Sequence, residues 1–247
     1  MTVVLKLGGS VVTEKDRPET VDESSLARAA EAIASAGTDL VVVHGGGSFG
    51  HHHAERHGVT RTTGTHDATA VGDIHGAMAR LCAAVVDAFR DHAVPAVPVH
   101  PLSLAARGPG DDLSLPTEPV ATLLGEGFVP VLHGDVVAHR GRGATILSGD
   151  ELVVALAASL DTERVGLCSA VPGVLDANGA VIPAIADRDD AGDALGDSDA
   201  TDVTGGMAAK VEALLAGPAP AWIFGLDALS AFLAGEDVGT RVGPPPD

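Results

Sequence analysis

The chain has few aromatic residues, few cysteines and few lysines. Of its 247 residues, 5 are Phe, 1 is Trp and none is Tyr, so a buried core has to be aliphatic. The two cysteines, Cys82 and Cys168, fit neither a zinc-ligand spacing nor a disulfide framework. The first apolar run is too short for a signal peptide, and no stretch approaches about 18 uninterrupted apolar residues. We therefore expect a cytoplasmic chain without a membrane span.

The charge of the chain is strongly negative. Its 15 Lys and Arg residues face 34 Asp and Glu residues, for a formal net charge of −19 with His neutral. This balance excludes binding to nucleic acid or anionic lipid through a basic face. An acidic, lysine-poor, Tyr-free composition is typical of adaptation to a salt-rich cytoplasm, because at ~1 M salt the Debye length is roughly 3 Å. An ordinary acidic soluble protein is the alternative.

Short apolar segments alternate with longer amphipathic ones. Val3–Leu7 and Leu40–Val43 are predicted strands, and apolar residues at helical spacing predict a long helix over Asp73–Asp91. Val136–His139 and Ala144–Leu147 flank a Gly-rich turn and predict a hairpin. Nearly continuous apolar strands separated by helices predict an α/β fold, a three-layer αβα sandwich around an open, mostly parallel sheet.

The segment Ala186–Asp202 is rich in aspartate and has no apolar stripe. We predict a solvated loop there. Calcium binding is the alternative interpretation, but the ligand spacing of an EF-hand loop is absent.

Three glycine-rich turns suggest where a ligand binds. Gly8-Gly9-Ser10 and Gly45-Gly46-Gly47-Ser48 directly follow predicted strands, and Gly205-Gly206-Met207 opens a predicted helix. Glycine lets backbone N–H groups approach an anion, and a helix N-terminus adds favourable partial charge. Ligands of open α/β sheets bind at the carboxyl ends of the strands, so these turns favour an anion site there.

The lysines follow the same turns. Lys6 lies two residues before the first glycine pair, Lys15 a few residues after it, and Lys210 one helical turn after Gly206. Ammonium groups beside glycine turns favour binding of a polyphosphate and transfer of a phosphoryl group. The P-loop and dinucleotide-binding signatures are absent, which indicates a kinase of another class.

These motifs together resemble the amino acid kinase family. The residues concerned, in chain order, are Lys6 through Ser10, His44 through Gly47, Ser148-Gly149-Asp150, Thr204 through Lys210, and Gly239 through Val242. The resemblance runs nearly end to end and implies one domain over residues 1–247. About 1–145 would hold the acceptor and about 146–247 the nucleotide. Within the family, Gly45 through His51 resembles the branch that phosphorylates isopentenyl phosphate with ATP in isoprenoid synthesis.

The resemblance also implies roles for individual residues. The implied nucleotide-binding residues are Lys6, Gly8, Gly9, Ser10, Gly47, Gly205 and Lys210. The implied acceptor-binding residues are Gly46, His51 and Gly149. The implied catalytic residues are Lys6 on the transferring group, Lys15 on the charge that develops, His51 on the acceptor phosphate and Asp150 as the carboxylate that orients lysine. Mg²⁺ would arrive with ATP rather than in a protein cage, and a homodimer is implied.

The chemistry of His51 agrees with a binding role. A phosphate monoester has its second pKa near 6, so the acceptor is already a nucleophile at neutral pH and needs no strong base. We therefore assign His51 to gripping and orienting the acceptor. The hydrocarbon tail is expected along the long helix, beside Ile74, Met78 and Cys82, although plain core packing is the simpler interpretation of each.

Two alternatives stay open. One is a family member with another small acceptor, such as fosfomycin; His51 argues against acceptors that lack a phosphate or phosphonate group. The other is a His-rich metal-binding protein, because His53 and His57 have the i, i+4 spacing that can hold Zn²⁺. No third ligand can be assigned from the sequence, so we predict no protein-bound metal.

Overall fold

Strands and helices alternate along the chain in the computed structural model, which describes residues 2–191 and 206–244. The strands are β1 (Thr2–Leu7), β2 (Asp39–His44), β3 (Ala96–Pro98), β4 (Ala106–Arg107), β5 (Leu113–Ser114), β6 (Val129–His133), β7 (Asp135–His139), β8 (Gly143–Leu147), β9 (Thr162–Ser169), β10 (Ala184–Ile185), β11 (Ala221–Gly225) and β12 (Thr240–Val242). The helices are α1 (Gly9–Val12), α2 (Glu23–Ala34), α3 (Gly47–His57), α4 (Ala68–Asp91), α5 (Glu118–Gly125), α6 (Gly149–Ser159), α7 (Arg188–Ala191), α8 (Gly206–Leu215) and α9 (Leu229–Leu233).

The main sheet has eight strands in the order β10-β12-β11-β9-β1-β2-β6-β3. The strands from β11 to β3 in this order are all parallel, whereas β12 runs antiparallel to β11 and carries β10 at the edge. The prediction of an open, mostly parallel sheet is confirmed. The predicted hairpin is also present, as β7 and β8, and it belongs to a second sheet with β4 and β5.

The core has two aliphatic layers, one on each face of the main sheet. Val3, Leu5 and Leu7 of β1 pack into the layer that contains α2 and α4. Val4, between them in sequence, packs into the opposite layer with Leu152 of α6. This alternation is the period of two expected of a strand, and it confirms the three-layer αβα sandwich.

Helix α4 begins earlier than the sequence pattern predicted. Its N-cap is Asp67, whose side chain accepts a hydrogen bond from the Thr69 N–H, so the helix starts at Ala68 rather than Asp73. Among the helices of the described residues, α4 has the length and the apolar composition that a helix needs to cross a membrane. Its apolar face instead packs against the main sheet, including Leu81, Val85 and Phe89.

The predicted solvated loop is partly wrong in the range that the structure describes. Arg188–Ala191 forms a short helix, because the Asp187 carboxylate accepts hydrogen bonds from the N–H groups of Asp189 and Asp190. Residues 192–202 of that prediction lie outside the described residues.

Candidate functional site

The candidate site lies at the carboxyl ends of the two central strands. β1 ends at Leu7 and β2 at His44, and the glycine turns Gly8-Gly9 and Gly45-Gly46-Gly47 follow directly. Helices α1 and α3 begin within these turns. Helix α6 begins beside them, since a Cβ added to its first residue, Gly149, would lie 3.7 Å from the His44 carbonyl oxygen. Three helix N-termini therefore present backbone N–H groups at one edge of the sheet.

The two glycine turns touch through their backbones. A Cβ added to Gly9 would lie 2.3 Å from the Gly47 backbone nitrogen, and one added to Gly45 would lie 2.5 Å from the Gly9 nitrogen. Gly47 also has a φ of +47°, a conformation that L side chains rarely adopt. Any other residue at these positions would force the turns apart.

Thr13 fastens the turns to each other. Its hydroxyl donates to the Gly9 carbonyl oxygen at 2.8 Å and accepts from the Ser48 backbone N–H at 3.0 Å. The side chain is almost fully buried. The position of Thr13 just after the first glycine turn is visible in the sequence, whereas its contact with the second turn is not.

A buried ion pair lies beneath the two glycine turns. Lys6 shares the α6 side of β1 with Val4, and its Nζ lies 2.6 Å from Oδ1 of Asp150. Both side chains are about nine-tenths buried. Asp150 is held in place because Ser148 and Glu151 form a capping box that fixes the start of α6. A Cβ on Gly149 would lie 3.2 Å from the Lys6 Cε, so the bare backbone leaves room for the lysine.

Taking two charges out of water costs free energy, so a buried ion pair at the carboxyl ends of the strands is typical of a functional site. The structure thus brings together six of the predicted site residues: Lys6, Gly8, Gly9, Gly47, Gly149 and Asp150. The Gly8 N–H donates to the Cys168 carbonyl oxygen at 2.8 Å, which ties this turn to the end of β9.

The other predicted residues lie on neighbouring elements. Ser10 is exposed in α1, Gly46 is the N-cap of α3, and His51 is partly exposed one turn further along that helix. Lys15 is exposed on the loop after α1, and Lys210 lies on α8, where its Nζ contacts the Gly206 carbonyl oxygen at 3.3 Å. Gly205 lies outside the described residues. The participation of Lys15 and Lys210 therefore stays a prediction.

The three residues predicted to line a tail pocket are all buried. Ile74, Met78 and Cys82 are each at most 1% exposed. A Cβ added to Gly46 would lie 3.5 Å from the Met78 sulphur, and one added to Gly50 would lie 2.7 Å from it. Met78 thus packs directly under the second glycine turn, which agrees with core packing and leaves the tail pocket a prediction.

A group of histidines, which the sequence analysis missed, fills the adjoining part of the sheet edge. His44 and His133 end the neighbouring strands β2 and β6 and are paired in register, with rings 5.4 Å apart. The His100 Nδ1 lies 2.9 Å from the His133 Nε2, and the His75 Nδ1 lies 2.9 Å from Asp135. The signal available in the sequence was that two apolar segments, Leu40–Val43 and residues 129–132, are each followed directly by His-Gly.

Burial sets the charges in this histidine group. It lowers the pKa of His44 to about 3 and also lowers the pKa of His133. The hydrogen bond to Asp135 raises the pKa of His75 instead. His44 Nδ1 donates to the Gly45 carbonyl oxygen, and its Nε2 is buried without a hydrogen-bond partner in the described part of the chain. His44 and His133 are therefore neutral at pH 7.

A cavity opens on the other side of the glycine turns. Its volume is about 400 Å³, and it lies at the carboxyl ends of β9 and β11. Its lining includes Ser10 of α1, the segment Ser169 through Pro172, and Gly225.

Parallel strands, glycine-opened helix N-termini and one buried lysine–carboxylate pair together describe an enzyme that handles phosphate groups. The model of the amino acid kinase family matches residues 1–216, and the chain belongs to that family.

The similar proteins within the family share one name. The chain is 64% identical to isopentenyl phosphate kinase of Haloferax volcanii over 97% of this chain and 98% of that protein. It is 30% identical to isopentenyl phosphate kinase of Methanocaldococcus jannaschii over 98% of each. Among solved structures, one of an isopentenyl phosphate kinase matches with a TM-score of 0.84 and 27% identity, covering 98% of this chain and all of that one.

Proposed function

We propose that this kinase transfers the γ-phosphate of ATP to isopentenyl phosphate and forms isopentenyl diphosphate and ADP. The observation that carries the proposal is the buried Lys6–Asp150 pair under two glycine turns in backbone contact. The Lys6 ammonium and the backbone N–H groups of the turns can bind the negative charge of the reacting phosphates. The 64% identical relative is named isopentenyl phosphate kinase.

The roles in this proposal are those that the family resemblance implies. Lys6, together with the turn of Gly8, Gly9 and Ser10, holds the phosphates of ATP, with the ammonium on the transferring group. Asp150 keeps the Lys6 ammonium in place. Because its Oδ1 is already committed to Lys6 at 2.6 Å, Asp150 orients the lysine and does not act as a base. Gly47, Gly205 and Lys210 complete the nucleotide site in this proposal, and Lys15 stabilises charge as it develops.

The acceptor lies on the α3 side of the turns. Gly46 and Gly149 offer backbone N–H groups to its phosphate, and His51 donates a hydrogen bond to it. An oxygen of the acceptor phosphate attacks the γ-phosphorus, and the bond from that phosphorus to the bridging oxygen of ADP breaks. No proton has to be removed from the nucleophile, so positioning and charge stabilisation carry the catalysis.

Each half of the chain has one substrate in this proposal. The cavity of about 400 Å³ beside Ser10 is a suitable place for the nucleoside part of ATP, and it is lined largely by the half after residue 146. The acceptor lies in the half before that residue. The one carboxylate at the ion pair is engaged with Lys6, which fits Mg²⁺ carried on phosphate oxygens as MgATP rather than held in a protein cage.

A panel of acceptors tests the proposal. The chain is incubated in molar KCl with MgATP and, separately, isopentenyl phosphate, dimethylallyl phosphate, fosfomycin, carbamate or UMP, with ADP release and ³¹P NMR of the product as readouts. We expect fast turnover on isopentenyl phosphate with a new diphosphate signal. Preferred turnover of fosfomycin would support the alternative acceptor, and absence of ADP release with every compound would contradict the kinase proposal.

We also propose that the chain acts in a salt-rich cytoplasm as a homodimer. The net charge of −19 supports the first part, because dense carboxylates repel one another less when salt screens them. We expect the melting temperature to fall as KCl is lowered. We also expect light scattering to give the mass of two chains. A salt-independent melting temperature would contradict the first part, and a monomer would contradict the second.

A further inference from the structure

A second cluster of ligand-type side chains lies outside the phosphate site, between α3 and α4. His53 and His57 are one turn apart on α3, and Asp73 faces them from α4. One ring nitrogen of each histidine and one carboxylate oxygen of Asp73 all lie within 4.8 Å of one another. Asp73 supplies the third ligand that could not be assigned from the sequence.

The hydrogen bonding of His53 is the stronger observation. Its Nε2 lies 2.5 Å from the Glu19 carboxylate, and the side chain is nine-tenths buried. Its Nδ1 is also buried and has no hydrogen-bond partner among the residues that the structure describes. Because a carboxylate acceptor fixes the proton on Nε2, Nδ1 is the nitrogen left for another ligand. A carboxylate on one ring nitrogen and a metal on the other is the common arrangement of metal-bound histidines.

The surroundings hold this arrangement in place. Glu19 is itself fixed by Arg80, whose Nη2 lies 2.8 Å from the other carboxylate oxygen. His57 lies 2.8 Å from Asp73 through its Nε2, so these two ligands are already in contact. Arg56 approaches Asp73 only to 4.0 Å and is largely exposed, so a cation can compete with it.

We propose that His53, His57 and Asp73 form a binding site for one Zn²⁺ ion, with Glu19 as the carboxylate that orients His53. Two imidazoles and one carboxylate suit Zn²⁺, and a zinc tetrahedron with bonds near 2.0 Å places its ligands about 3.3 Å apart. The present separations need only side-chain adjustment to reach that value. A solvent molecule completes the coordination, since His57 and Asp73 reach the surface.

Such an ion would fasten three parts of the chain together. His53 and His57 lie on α3, the helix that carries His51, and Asp73 lies near the start of α4. Glu19 belongs to the loop that carries Lys15, and its own N–H donates to the Ser48 carbonyl oxygen at 3.2 Å. The ion would therefore act as a structural clamp beside the phosphate site, and this proposal does not depend on the kinase reaction.

Metal titration without nucleotide tests the site. Untagged protein, stripped with a chelator, is titrated with Zn²⁺ against a chromophoric competitor, and the Co²⁺ form is examined for the intense visible bands of tetrahedral coordination. We expect one Zn²⁺ per chain. His53→Ala, His57→Ala and Asp73→Asn should each weaken binding by about 100-fold, and Glu19→Gln by about 10-fold. His92→Ala, at the far end of α4, is the matched control and should bind as the native chain does.

Thermal unfolding supplies a second readout. Zn²⁺ at 100-fold excess over its Kd should raise the melting temperature of the native chain and of His92→Ala by about 5 to 10 °C. It should raise the melting temperature of Asp73→Asn by only about 1 °C, because a site weakened about 100-fold is half occupied at that concentration; this isosteric variant at a partly exposed position keeps the fold. A native chain that binds no Zn²⁺ would overturn the proposal, and so would equal binding by Asp73→Asn or by the His53→Ala/His57→Ala double variant.

Discussion

The carboxyl edge of the main sheet contains two neighbouring regions that are built in opposite ways. Around β1, side chains are absent: Gly9, Gly45 and Gly47 meet through bare backbone above one full ion pair, Lys6–Asp150. Across β2 and β6, the edge is filled by imidazoles that burial keeps neutral. The first region is open to an anion and supplies charge to it, whereas the second is packed around the neutral His44 and His133, with the buried Asp135 carboxylate held by His75. One sheet edge is thus divided into a ligand site and a support for it.

Removing the positive charge of the open region should have the largest effect on activity. In Lys6→Ala the ammonium is lost and Asp150 stays buried without its partner, so we expect kcat to fall by at least about 10²- to 10³-fold. Steady-state assays with MgATP and isopentenyl phosphate give the value, with circular dichroism as a check on folding. Arg17→Ala, at an exposed position without an assigned role, is the control and should keep its kcat; an unchanged kcat in Lys6→Ala would refute the assigned phosphate site.

Adding a side chain to the bare backbone should be the next largest effect. Gly9→Ala places a methyl group 2.3 Å from the Gly47 nitrogen, so we expect a loss of about 1–3 kcal/mol of unfolding free energy together with reduced activity. Gly72→Ala is the matched control. That glycine lies in α4 with no atom within 4 Å of an added Cβ, and the variant should gain roughly 0.5–1 kcal/mol. Chemical denaturation measures both, and equal stability of the two variants would contradict the close contact.

Removing His51 should affect one substrate only. In His51→Ala we expect kcat/KM for isopentenyl phosphate to fall by about 10- to 100-fold, the loss expected for one hydrogen bond to a charged group. The KM for ATP should stay near its native value. The adjacent His52→Ala, whose ring is exposed, serves as the control, and an equal change in both substrates' KM values would argue against an acceptor role for His51.

The packed region should make the free energy of unfolding depend on pH. His44 has a folded pKa of about 3, below its unfolded value near 6.5, so between these pH values only the unfolded chain binds the proton. Its contribution to stability is present above pH 6.5 and is lost as the pH falls toward 3. From pH 5 to pH 4 the native chain should lose about 1.4 kcal/mol more than His44→Asn does. Denaturant titrations at the two pH values give the difference, and parallel losses would show that His44 is charged in the folded state.

Much of the open region could be predicted from the sequence. Glycine turns after apolar strands locate an anion site, because the carboxyl ends of parallel strands meet at one edge. The scarcity of lysine made Lys6 visible, and the resemblance supplied Asp150. The contact between them could not be derived from local sequence, since 144 positions separate them and only the alternation of β1 and the start of α6 bring them together.

The packed region and the metal cluster were harder to predict for the same reason. The pairing of His44 with His133 depends on strand register. The third ligand, Asp73, lies on α4. The apolar pattern alone predicts that this helix begins at Asp73, whereas the Asp67 cap makes it begin at Ala68. Local patterns predict the elements well, but capping and packing decide which polar side chains meet.

The contact between the two glycine turns has a consequence for how this protein can change. The turns meet through backbone atoms, and the Thr13 hydroxyl joins them, so a side chain added in one turn cannot be relieved by a smaller residue in the other, which is already glycine. A mutational scan of pairs across Gly9, Thr13 and Gly47 would then find no rescue in double variants. Diversification of substrate choice is accordingly easier in the surrounding helices than at this junction.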